Sequence, residues 1–120
     1  MNPFRIDAEY PPFVRDYKAA VKKFPSLNRD IKSTFEVLET NSRAGDAIPG
    51  YKEAVWKIRI GVKGQMGKSS GYRLIYHVDW SRQVITPLAL YFKPETPQLS
   101  DAEIAARFER LARYFQSPPE

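Results

Sequence analysis

Residues 55–60 read VWKIRI, residues 71–79 GYRLIYHVD and residues 84–92 VITPLALYF, and these three segments decide the fold. Apolar residues alternate along each, the period of a strand with one buried face. In the first, Trp56, Ile58 and Ile60 point one way and Lys57 and Arg59 the other. In the second, Tyr72, Leu74, Tyr76 and Val78 share a face, opposite Arg73, Ile75 and His77. In the third, Leu88, Leu90 and Phe92 share a face, opposite Tyr91 and Lys93. Such a meander lays one face on a core and gathers Lys57, Arg59, Arg73, Tyr91 and Lys93 on the other. A cationic, partly aromatic sheet face suits a phosphate backbone.

Charge patterning points the same way. The 120-residue chain carries 19 Lys and Arg against 14 Asp and Glu, a formal net charge of +5. The excess is local: Lys52, Lys57, Arg59, Lys63, Lys68 and Arg73 fall between positions 52 and 73, against Glu53 alone. That asymmetry predicts an anionic partner, although a solvated face bordering a loop explains the charge equally well. The length suits one domain over residues 1–120, with one core.

Outward from the strands, the flanks read as helices. Phe4 to Asp7 is a candidate first strand. Pro11 and Pro12 suit a helix start, and Phe13, Tyr17, Ala20, Val21 and Phe24 follow at helical spacing. Pro25 ends that helix or opens the next. Ser26 is the expected N-cap of a second helix, with the stripe Leu27, Ile31, Phe35 and Leu38. Two amphipathic helices with a short joint predict an αα-hairpin. After the strands, Ser100 and Glu103 form a capping-box pattern ahead of Ile104, Phe108, Leu111 and Phe115. A frayed tail is expected over 117–120.

Two loops and a proline complete the reading. Residues 41–50 read as a loop closing on the turn Ile48-Pro49-Gly50. Residues 61–71 carry four glycines and contain Gly67-Lys68-Ser69, which looks like the end of a phosphate-binding P-loop. The required first glycine would fall at Val62, and a strand follows where a helix is needed, so a P-loop is rejected. Lys63 and Lys68 remain there, usable against nucleic acid or simply solvated, and Lys52 is a further candidate RNA contact. Pro87 lies within the third strand, which predicts an edge position or a bulge.

The absence of cysteine excludes disulfides and thiolate chemistry, and one histidine, His77, builds no histidine metal cluster. No apolar run reaches membrane-spanning length and the N-terminus lacks a signal-peptide pattern, so a cytoplasmic location is expected. Neither paired carboxylates nor a nucleophile with a base is visible. A cationic face can still serve RNA cleavage. The RNA's own 2′-hydroxyl attacks the adjacent phosphate, arginines stabilise the added charge, and a lysine among other cations acts as base.

The run Trp56 to Ile60, a loop, then Ser70-Gly71-Tyr72-Arg73-Leu74-Ile75-Tyr76 resembles the signature of RelE-type toxins of bacterial toxin–antitoxin systems. The joint at Phe24-Pro25-Ser26-Leu27, the Ile48-Pro49-Gly50 turn, the end at Leu90-Tyr91-Phe92-Lys93 and the last helix also fit. The glycine- and lysine-containing loop before Ser70 is similar to the HigB branch of the RelE/ParE superfamily.

The resemblance implies an α+β fold: an N-terminal strand and αα-hairpin on a mostly antiparallel sheet, plus a C-terminal helix. It implies a metal- and cofactor-independent endoribonuclease that cuts mRNA on the ribosome, blocks translation and is silenced by a cognate antitoxin. Lys57 and Arg59 match the family's basic pair, Arg73 the arginine of its Gly-Tyr-Arg motif, and Lys93 a basic strand end. The chain departs from the pattern at Pro94, where some members have arginine. The family's C-terminal catalytic tyrosine has no clear equivalent, and Tyr91 substitutes by proximity. ParE-type relatives share the fold but inhibit DNA gyrase, and a non-catalytic nucleic-acid-binding module is a third reading.

Overall fold

The computed structural model describes residues 3–60, 71–96 and 98–116. In chain order the elements are β1 (Arg5–Ile6), α1 (Pro11–Lys23), α2 (Leu27–Thr40), β2 (Asp46–Ala47), β3 (Val55–Ile60), β4 (Tyr72–Asp79), β5 (Val84–Phe92) and α3 (Asp101–Gln116). They form one sheet in the order β1-β5-β4-β3-β2, parallel between β1 and β5 and antiparallel elsewhere. The expected α+β architecture is therefore present, with the α1–α2 hairpin on a mostly antiparallel sheet. The last helix lies on the opposite face, which makes three layers.

The alternation in β3 and β4 places the main core. Phe13 and Ala20 of α1 and Leu27, Ile31 and Leu38 of α2 pack on Trp56, Leu74, Tyr76 and Leu90. A second cluster lies on the other face, where Ile104 and Leu111 of α3 cover Val55, Ile75, Leu88 and Ala89. One register expectation fails here. Leu88 belongs with this second cluster and not with Leu90 and Phe92. The cause is a bulge: Ile75 pairs with Ala89 while Tyr76 pairs with Pro87, so one residue is skipped and the facing of β5 reverses. Pro87 sits at this irregularity, just past the two β5 residues that β1 pairs, where its missing N–H is least costly.

Beyond that pairing, side chains serve the edge of β5. Leu90 N–H donates to the Asp16 carboxylate at 3.0 Å, and Arg107 Nη1 donates to the Leu88 carbonyl at 2.9 Å. The two side chains also meet each other at 2.7 Å. A clasp from α1 to α3 thus closes the sheet edge and ties its outer layers together.

Two smaller expectations are corrected. Ser26 has helical dihedrals (φ −68°, ψ −15°) and makes no side-chain capping bond; the turn bond from Leu27 N–H to the Phe24 carbonyl, 2.9 Å, opens the helix instead. The loop at 41–50 contains β2, paired with β3 through Asp46↔Lys57 and Ala47↔Trp56. By contrast Ser100 Oγ accepts the Glu103 N–H at 3.1 Å as its cap pattern requires. The Glu103 carboxylate is bonded to Arg107 Nε. The expected tail at 117–120 lies outside the described residues.

The β2–β3 turn is held by its own backbone. Lys52 and Glu53 both have left-handed φ values, 51° and 64°. The Glu53 carbonyl that results accepts both the Trp56 and the Trp80 indole N–H, at 2.7 and 2.9 Å. Arg43 bonds the Glu53 carboxylate at 3.0 Å and stacks over Trp80.

Candidate nucleic-acid interface

On the face that α3 covers, Arg59 lies directly opposite Arg73, and Arg73 directly opposite Tyr91. The three form one row across β3, β4 and β5. With neighbouring strands about 4.8 Å apart, the row spans about 10 Å. Lys57 stands two residues before Arg59 on the same face, about 7 Å along the strand. The alternation in the sequence therefore brings together four of the expected site residues, and the bulge falls beyond Ile75, leaving the row in register.

Burial grades along the row. Arg59 is exposed and Lys57 half-buried, whereas Arg73 is 8% and Tyr91 9% exposed. Burial lowers the Arg73 guanidinium from its usual value, the Tyr91 phenol opposes this, and Arg59 adds to it. Like charges directly opposite on a sheet are destabilising. Burial also raises Tyr91, against the Leu99 backbone N–H that its oxygen accepts and the charge of Arg73. Tyr91 is therefore a neutral phenol at physiological pH, able to donate a proton.

Lys57, Arg59 and Arg73 line a cavity of about 380 Å3, walled also by Ala44, Gly45, Asp46 and Ile58. Asp46 was not anticipated. It pairs with Lys57 in register and brings a carboxylate to the cationic group. The available signal was the Pro49-Gly50 turn: folding the chain back there sets Asp46 and Ala47 beside Lys57 and Trp56. The approach is close. A Cβ on Gly45 would lie 2.4 Å from the Lys57 carbonyl oxygen and 3.0 Å from the Tyr76 hydroxyl, so only glycine fits. Tyr76 fixes this segment, donating to the Ser42 carbonyl at 2.9 Å and accepting from Gly45 N–H at 3.2 Å.

The remaining expected residues are placed differently. Lys93 follows β5, its N–H bonded to the Gly71 carbonyl at 3.0 Å, which sets it at the end of the sheet where Arg73 lies. Lys52 does not join the cluster. It sits exposed in the β2–β3 turn, at the opposite end of β3 from Arg59. Lys63, Lys68 and the Gly67-Lys68-Ser69 run lie outside the described residues. Among the described residues no group of three His, Asp or Glu side chains converges to hold a metal ion, and no helix is long and apolar enough to cross a membrane.

No family model matches the chain, and no curated protein matches it.

Proposed function

We propose that this protein is a toxin of the RelE type: a cytoplasmic, metal-independent endoribonuclease that cuts mRNA on the ribosome and is silenced by a cognate antitoxin. The observation that carries the reading is the row Arg59, Arg73 and Tyr91 with Lys57 beside it. Three cations and a protonated phenol on one face match the demands of 2′-hydroxyl attack on phosphate. Lys57 is the candidate base for the 2′-hydroxyl proton. Arg59 and Arg73 bind the non-bridging oxygens as charge grows on them, the interaction that lowers the barrier. Tyr91 gives its proton to the departing 5′-oxygen, with Lys93 as the other group near that end. The products are a 2′,3′-cyclic phosphate and a 5′-hydroxyl. The same cationic face complements an acidic or amphipathic antitoxin segment, which would cover the site.

The test is cleavage of mRNA in a translating extract by the parent and by Lys57→Ala, Arg59→Ala and Arg73→Ala. Each substitution is expected to lower the rate on the order of a hundredfold, the usual cost of one transition-state contact. Parent-like cutting by all three folded variants would place the chemistry elsewhere. A parent that cuts no mRNA but blocks DNA supercoiling would establish the gyrase-inhibitor reading.

A further inference from the structure

Between α1 and α2, on the side of the sheet away from α3, opens a trough of about 260 Å3. Phe13 and Ile31, each 2% exposed, form its floor, and the half-buried Val14, Tyr17 and Phe35 form its walls, with Ala8 at the border. Its polar lining is the Tyr17 hydroxyl, which donates to Asn28 Oδ1, the rest of the Asn28 amide, and Lys32. The lining positions on α2, Asn28 to Phe35, cover about 10 Å of helix. Exposed cations flank the trough. Lys18 lies one turn beyond Val14 on α1 and Lys22 one turn further, while Arg29 and Lys32 stand on the facing part of α2. Among the described residues none of these four cations is in an ion pair. The acids of the hairpin lie apart from them: Asp16 is held by Arg107, Asp30 is half-buried, and Glu36 and Glu39 stand toward the C-terminal end of α2.

We propose that this trough is the docking site for an acidic amphipathic helix of a partner protein, with its apolar side chains set between α1 and α2 and its carboxylates against Lys18, Lys22, Arg29 and Lys32. Two side-by-side helices that offer apolar positions at three- and four-residue spacing form the groove into which a third helix packs. The cations make the partner acidic, because complementary charge fixes the register and rejects a basic helix. A phosphate backbone would use the cations but leave the apolar floor uncovered, and Phe13 at the bottom offers no open ring face for a base. A bilayer takes apolar groups that project, whereas these are recessed below a charged rim. The trough and the row Arg59, Arg73 and Tyr91 lie on opposite faces of the sheet, so a helix seated here leaves that row open. The inference is therefore independent of the RNA-cleaving reading.

The probe is a synthetic helical peptide with leucines at i, i+3, i+4 and i+7 and glutamates on its remaining surface. It is added to the full chain while backbone amide NMR shifts are followed. The expected shifts fall on Val14 to Lys18 and on Asn28 to Phe35, and the affinity falls as salt is raised. A peptide with the same leucines but lysines for glutamates should bind roughly tenfold more weakly. The double variant Lys18→Glu, Lys32→Glu changes exposed positions only and should reverse that preference. Val14→Ser, which removes part of the apolar wall, should weaken the acidic peptide while leaving its salt dependence unchanged. Three results would overturn the proposal. In the first, the acidic peptide leaves the hairpin amides unmoved, or moves only those around Arg59, Arg73 and Tyr91. In the second, the preference for the acidic peptide is unchanged in the folded double variant. In the third, a polyuridine oligonucleotide or phosphatidylcholine–phosphatidylglycerol vesicles move the hairpin amides at lower concentration than the acidic peptide does, which would give the surface to nucleic acid or lipid. Cleavage of mRNA enters none of these readouts, so the two readings fail separately.

Discussion

Asp16 on α1 and Arg107 on α3 stand 91 residues apart in sequence and meet at 2.7 Å over the edge of β5. Between them they satisfy the Leu90 N–H and the Leu88 carbonyl, doing with side chains what a further strand would do. Both are mostly buried, Arg107 at 15% and Asp16 at 23% exposed. Burial acts to lower the Arg107 guanidinium, but bonds and charges from Asp16 and Glu103 outweigh it and raise its pKa. Arg107→Ala should leave Asp16 and the Leu88 carbonyl without this partner and cost about 3 kcal/mol. Urea unfolding checks this, with a lowered midpoint and an unchanged slope.

Leu74 is fully buried between the hairpin helices and the sheet, whereas Ile58, its direct partner on β3, is only half-buried. Leu74→Ala should therefore cost roughly 3–5 kcal/mol and Ile58→Ala less, near 2 kcal/mol. Thermal melts of both variants test the order. Equal losses would mean that β3 is packed more deeply than its exposure indicates.

Arg59 is exposed and opposes Arg73 across the strand pair. Replacing it by alanine should leave the melting temperature unchanged or slightly higher while mRNA cleavage falls. Arg73→Lys keeps the charge but loses the planar donor fork, and should recover only part of the activity that Arg73→Ala loses. A variant at Arg59 that loses activity and stability in parallel would mark it as a structural residue.

Gly45→Ala places a methyl group against the Lys57 carbonyl. The expected result is a loss of stability of about 1–3 kcal/mol, accompanied by reduced cleavage, because β2 must move off the strand that carries Lys57. The paired readout is a melt and a cleavage rate. Full activity in the variant would show that Asp46 and Ala47 need not stay paired to β3.

His77 lies near the rings of Phe108 and Phe115, and burial lowers its pKa, with Asp79 opposing. The folded state thus binds this proton less readily than the unfolded state. Its contribution to stability is full above the unfolded value of about 6.5 and is lost as pH falls below it, down through the lowered folded value. Denaturation at pH 8 and pH 5.5 should show a drop that His77→Phe reduces. An undiminished drop in that variant would assign the effect to other groups.

The strands of the meander were legible because apolar residues recur at every second position along them, although β4 and β5 are buried on both faces. The row Arg59, Arg73 and Tyr91 followed from that period alone. Leu88 was misassigned because a bulge shifts facing without leaving a mark in composition beyond Pro87. The strand Asp46–Ala47 was missed because two residues have no period, and with it went the carboxylate of the site. The pairing of Arg107 with Asp16 left no signal in the sequence: it is fixed only when α1 and α3 meet around the sheet, a relation that spacing along the chain does not encode. Lys52 was grouped with the site by its nearness in sequence, and the length of β3 carries it to the other end.

The two tryptophans of the chain, Trp56 and Trp80, share the Glu53 carbonyl as acceptor. Their fluorescence is therefore the optical signal of a single turn, viewed from a buried indole and a partly solvated one. Arg43 lies over both rings, 5.7 Å from Trp56 and 4.5 Å from Trp80, so the emission also senses whether that guanidinium stays docked. Opening of the left-handed Lys52-Glu53 turn would shift both emitters together, without any label, while the rest of the sheet remained folded.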